Sequence, residues 1–144
     1  MDGATGTVKA TGRDGVTREF AYSLSEDTQH CNSFDDARKT RTFQVPSTDG
    51  RAMFQASFME EVDCWKVIML SHDSHKEFVA MGLPEAFIRE AAKIFGKRVR
   101  SSSNEVKTEA SESRNPTATK VWLRLVAGKE ATYDENTDNY WYCL

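Results

Sequence analysis

The chain has 144 residues, 39% of them hydrophobic and 28% charged, with 8 Gly, 3 Pro and a formal net charge of −3. This profile excludes collagen-like, disulfide-scaffold and wholly disordered chains. It fits a single globular domain over 1–144, long enough to bury about two-thirds of the surface its unfolded chain exposes. Mild acidity also disfavours a dedicated nucleic-acid binder, which carries a basic excess.

No stretch approaches the ~20 consecutive apolar residues a membrane span requires, so no membrane partner is expected. The opening residues, Met1 to Gly6, lack the basic and apolar regions of a signal peptide. Cys31, Cys64 and Cys143 form an odd, scattered set, which reads as free thiols in a reducing cytoplasm.

The front of the chain reads as β-structure. Thr7–Ala10 and Val16–Tyr22 alternate around Gly12-Arg13-Asp14-Gly15, a hairpin pattern. Residues 23–33 are polar and read as loop, and Ser33–Arg38 as a short helical turn. Thr42–Val45 and Ala52–Phe58 flank a turn containing Asp49-Gly50, a second hairpin. Trp65–Leu70 is nearly continuous in apolar character, as expected of a strand buried on both faces. Glu60–Asp63 reads as the turn before it.

From residue 84 the period changes. Phe87, Ile88, Ala91, Ile94 and Phe95 form one stripe at helical spacing, with Pro84 placed for the first turn and Gly96 for the stop. Lys97–Arg100 is a short strand candidate. Residues 101–117 are almost devoid of apolar side chains and read as a flexible insertion. Thr117 or Thr119 then caps a second helix carrying Val121, Trp122, Leu125 and Val126, stopped by Gly128. Glu130–Tyr133 and Asn139–Leu144 close the chain as a hairpin. The expected fold class is therefore α/β (α+β): a mixed, mostly antiparallel sheet, with two main helices in the C-terminal half.

Ser71-His72-Asp73-Ser74-His75 is the densest polar cluster and follows the buried strand directly, where ligands commonly bind. His72 and His75 with Asp73 or Asp63 hold the right atoms for a metal, but the spacing matches no ligand motif and no metal site is expected. His72 or His75 has the pKa class of a neutral-pH general base. His30-Cys31 are adjacent in sequence only, and packing explains Cys64 and Cys143. Two small basic groups, Arg38, Lys39 and Arg41, and Lys93, Lys97, Arg98 and Arg100, suit either phosphate or an ordinary solvated face.

From Trp65 onward the order of elements resembles the GNAT-type N-acetyltransferase superfamily, whose cofactor half runs strand, helix, strand, helix, strand. The resembling residues are Met81-Gly82-Leu83-Pro84 at the helix start, Arg100-Ser101-Ser102 after it, Val121-Trp122-Leu123-Arg124-Leu125, and the Gly128–Tyr133 turn. The resemblance spans about residues 42–144. It implies acetyl-CoA as cofactor, with pyrophosphate on the amides of the helix beginning near Gly82, since helix N-termini offer unpaired N–H groups. Leu70, Ser71, Met81, Gly82, Leu83 and Ser101 would then line the cofactor site. Transfer would go directly to an amine or protein acceptor, with Glu60, Glu61 or His72 as base and Tyr133 or Tyr140 as acid.

The cofactor loop departs from the family's Arg/Gln-x-x-Gly-x-Gly/Ala pattern. Val79 stands at the Arg/Gln position and Pro84, which has no N–H, at the second small-residue position. The resemblance thus implies either an active enzyme or a degenerate relative. The alternative is a non-catalytic interaction module with a protein partner, such as a small acidic inhibitor or immunity-type protein. Nucleic acid is the weakest of the three partner classes, and the oligomeric state is open.

Overall fold

The computed structural model describes residues 4–31, 36–70, 76–105 and 112–143, without the side chains of 29–31 and 36–37. Alternating residues build β1 (Thr5–Thr11) and β2 (Thr17–Cys31), which pair antiparallel. In the turn between them Asp14 Oδ1 accepts the Val16 N–H, and Gly15 takes φ +79°, a conformation that favours glycine. Three further antiparallel neighbours follow: β3 (Asp36–Pro46), β4 (Met53–Glu60) and β5 (Cys64–Leu70).

Two expectations change here. Residues 23–31 are strand rather than loop, in register with β3 from Ser23↔Gln44 to Cys31↔Asp36. Ladder hydrogen bonds join backbones, so a polar strand forms without the alternation that would announce it. Asp36–Arg38, expected in a helical turn, belong to β3, while 33–35 lie outside the described residues.

Helix α1 (Leu83–Phe95) matches the apolar stripe closely. Pro84 sits in its first turn, and Gly96 closes it at φ +72°. β6 (Arg98–Arg100) then lies parallel to β5. Helix α2 (Pro116–Ala127) is capped by Asn115, whose side chain accepts the Ala118 N–H at 2.8 Å, and not by Thr117 or Thr119. Thr119 instead donates its hydroxyl back to the Asn115 carbonyl. The chain closes with β7 (Ala131–Asp134) and β8 (Asn139–Tyr142).

The eight strands of the described residues form one sheet in the order β1-β2-β3-β4-β5-β6-β8-β7, with β5–β6 the parallel pair among them. The architecture is α+β, dominated by the sheet. An aromatic core ties it to α1. Phe43 is fully buried and contacts Tyr22, Phe58, Phe87 and Phe95, and Trp65 lies 4.6 Å from Phe95 between ring centroids. Each such buried ring contributes about 1.5–3 kcal/mol through apolar burial.

The other sheet face is charged. Trp65 pairs with Val99 and Lys66 with Arg100, so the two-residue period of a strand puts both cations opposite the aromatic core. Lys66, at 0% exposure, bonds Glu112 at 3.0 Å, and Arg100 bonds both Glu112 and Glu61. Ser101, Ser102, Ser103 and Glu112 are all buried, so these parts of the polar stretch 101–117 pack against the sheet. Residues 106–111 lie outside the described residues. No described helix is long and apolar enough to cross a membrane.

Candidate functional site

A cleft of about 690 Å³ opens at the N-terminus of α1. One wall is the β1–β2 turn (Thr11, Gly12, Arg13), another the loop 78–82 and the first turns of α1, and a third α2 with Glu130. Apolar side chains, among them Phe54, Phe78 and Leu125, lie beneath the polar rim. A volume of this size is in the range of small-molecule sites.

Backbone contacts hold the walls together. Arg13 N–H donates to the Ala80 carbonyl at 2.9 Å, latching the β1–β2 turn onto the loop before α1. Gly82, the N-cap of α1, adopts φ +77°, and an added Cβ would collide with the Thr11 carbonyl oxygen. Close passage of β1 therefore requires glycine there. The helix geometry leaves the first-turn amides of Leu83 and Glu85 without intrahelical acceptors, while Pro84 contributes none.

Two ion pairs cross the cleft. Arg89 Nε and Nη2 grip both oxygens of Glu130 at 2.6 and 2.8 Å. Arg89's hydrogen bonds hold the Glu130 carboxyl below its ordinary value, and Arg89 is raised in turn. Arg124 Nε donates to Glu85 Oε2, joining α2 to α1. Glu85 is 6% exposed, and its Oε1 meets no donor among the described residues. Arg13 is exposed and has no carboxylate partner among them.

Of the residues expected in a cofactor site, Met81 and Gly82 line this cleft, as do Val79 and Pro84. Leu83 is fully buried in the core. Leu70 lines a separate cavity of about 50 Å³ with Ser102, Arg114 and Trp122. Ser101 is fully buried at the junction of β6 and β8, where its Oγ accepts the Tyr140 N–H. Ser71 and His72, with Asp73 and His75, lie outside the described residues.

The expected acid–base residues sit elsewhere. Glu60 pairs with Lys97, and Glu61 is held by Arg100 with Arg38 and Lys66 nearby. Tyr133 donates its hydroxyl to Asp138 Oδ1, and Tyr140 is buried between Trp122 and Tyr133. None of these four borders the cleft. Cys64 donates to Glu61, and its thiol is pushed up to about 12, first by burial and then by the Glu61 charge, which disfavours the thiolate a nucleophile needs. Cys143 is exposed, and the His30 and Cys31 side chains lie outside the description.

Acids engage most of the basic groups. Lys39 and Arg41 meet Glu26, and Arg98 meets Asp63 while stacking over Trp141. Lys93 is exposed at the end of α1. No group of three or more metal-ligating side chains gathers among the described residues.

Sequence reasoning did not single out Arg13, Glu85, Arg89, Arg124 or Glu130. A local signal exists for two of them. Glu85 and Arg89 are four apart on α1 and so share a face, but their actual partners come from α2 and the chain before β7.

The fold and cleft thus define an α+β protein with one continuous sheet and a helix-rimmed ligand-sized cleft. Comparison with protein-family models, curated proteins and solved structures yields no match.

Proposed function

We propose that this chain is an acyl-CoA-dependent N-acetyltransferase-like protein, with the cofactor in the cleft at the start of α1. The supporting observation is topological. From β5 to β7 the chain runs strand, helix, strand, helix, strand, and β5 and β6 are parallel neighbours. The loop leaving β5 therefore leads to a helix N-terminus at a strand's carboxyl end, a favoured ligand position in sheets of this kind. This support concerns the order of elements; the departures at Val79 and Pro84 bear on the cofactor loop and leave a degenerate relative as part of the reading.

The cleft fits the group in three respects. Its volume accommodates a ligand of several hundred Å³. Glu85, in the first turn of α1, lines the cleft with an amide that has no intrahelical acceptor and so can meet a pyrophosphate. Its apolar floor at Phe54, Phe78 and Leu125 suits a pantetheine arm. Acyl-CoA, once bound, supplies an activated thioester for attack by an amine. Glu60, Glu61 and Tyr133 are already engaged by neighbours, so cofactor binding is the better-supported half of the reading, and the acceptor is an amine of small-molecule or protein class.

Isothermal titration with acetyl-CoA and CoA tests it. Saturable heat and a rise in Tm are expected. No heat and no thermal shift at millimolar ligand would sink the reading and leave the non-catalytic interaction module. Gly82→Asp is a poor probe of the site, because the Thr11 backbone excludes any side chain there.

A further inference from the structure

We propose that Arg13, on the β1–β2 turn, is the phosphate-binding cation of the cleft, so that the front hairpin forms part of the ligand site. The inference rests on the cofactor reading for its ligand, but its evidence is separate. Five charged side chains line the cleft: Arg13, Arg89 and Arg124 against Glu85 and Glu130. Arg89 is neutralised by Glu130 and Arg124 by Glu85, which leaves Arg13 as the unmatched charge among them.

Its position is built rather than incidental. The Arg13 N–H is bonded to the Ala80 carbonyl, Gly12 is buried against that same carbonyl, and Gly82 admits the Thr11 backbone. The turn is thereby clamped to the loop that leads into α1, and Arg13 lines the same cleft as the first turn of α1. A guanidinium in a cleft that a helix N-terminus enters is matched to phosphate, with several donors and no carboxylate paired to it among the described residues.

A second, independent feature marks the same cleft as a ligand site. Glu85 is more than nine-tenths buried, its Oε2 is taken by Arg124, and its Oε1 has no donor among the described residues. A buried acceptor without a partner is unfavourable, and a ligand N–H or O–H would relieve it once the side chain turned Oε1 into the cleft. The chemical class is therefore a phosphorylated molecule that also carries a hydrogen-bond donor. An inorganic anion would satisfy only the Arg13 end.

Titration calorimetry of the whole chain with CoA, ADP and inorganic pyrophosphate, for wild type, Arg13→Ala and Arg13→Lys, tests this. Loss of a charge-assisted bond should weaken CoA and ADP about tenfold to a hundredfold in Arg13→Ala, with partial recovery in Arg13→Lys. The salt dependence of binding should flatten in the alanine variant. An unchanged melting temperature would show that the exposed side chain is not needed for folding. Equal CoA affinity in wild type and Arg13→Ala would overturn the Arg13 assignment while the cofactor reading stands. ADP binding that depends on Arg13, with CoA binding no tighter than ADP, would support the assignment and count against acyl-CoA. No binding of any probe by the wild type would overturn both.

Discussion

Gly82 shows how one residue carries two readings. In the chain it stands where a phosphate loop places glycine, and in the fold it admits the Thr11 backbone at φ +77°. Gly96 has a similar φ of +72° but open space around it. The two therefore separate backbone strain from collision. Gly96→Ala should cost about 1–2 kcal/mol, the penalty of a left-handed L-residue. Gly82→Ala should cost about 3 kcal/mol or more, because strain and overpacking act together. Urea unfolding of both variants measures the difference, and equal losses would contradict the close approach. Lys66 carries the same lesson. It looks like an interruption in an apolar strand, yet it is fully buried because Glu112 meets it from 46 positions along the chain.

At the scale of elements, ion pairs join what the sheet does not. Arg89 on α1 binds Glu130, which leads into β7, and Arg124 on α2 binds Glu85 on α1. Arg89 holds the Glu130 carboxyl below its ordinary value of 4.5. The folded state thus binds this proton less readily than the unfolded chain does. The pair's contribution to stability is complete above pH 4.5 and is lost as pH falls through the lowered folded value. The urea midpoint of the wild type should drop between about pH 6 and about pH 3, and the drop should be shallower in Glu130→Gln. Asp138 retains part of the slope in that variant. Burial opposes its carboxylate, but Arg114, the Asn104 N–H and Tyr133 outweigh that and keep its value below 3.8. An identical pH profile in Glu130→Gln would remove the pair from the acid response. Both ion-paired residues are substantially exposed, so the effect is a modest one.

Across the whole molecule, pairing is uneven along the long strands. β1 stops pairing with β2 at Ser23, and β4 stops pairing with β3 at Thr40. The backbone of 28–31 and 36–39 therefore pairs only with itself among the described residues. Hydrogen exchange should be fastest in this two-stranded extension and slowest in β4 and β5, each flanked on both sides and packed under α1. Uniform protection along β2 would contradict the picture.

Much of the architecture was readable because it follows local rules. The apolar stripe from Phe87 to Phe95, with Pro84 before it and Gly96 after it, specifies α1 within a residue or two. The run from Trp65 to Leu70 specifies β5, and both Asp-Gly-type turns mark hairpins. What was not readable has a common cause. The outer half of β2 has no apolar period, so only its backbone partner reveals it as a strand. At α2 the cap is Asn115, immediately before Pro116 and two positions before the nearer threonine considered. The cleft draws Arg13, Glu85, Arg124 and Glu130 from four separate stretches, and no spacing rule links them.

The sequence by itself determined the mixed α+β class, the mostly antiparallel strands and the positions of both helices, because periodicity and turn chemistry act over a few neighbouring residues. Tertiary structure alone decided that Lys66 and Glu112 are buried together, that β1 leans on Gly82, and that Arg13 lines the cleft without an acid partner among the described residues. Those outcomes depend on which distant segments share a dielectric environment and a few ångströms of space. Charge pairing and steric contact are properties of the folded arrangement, not of separation along the chain.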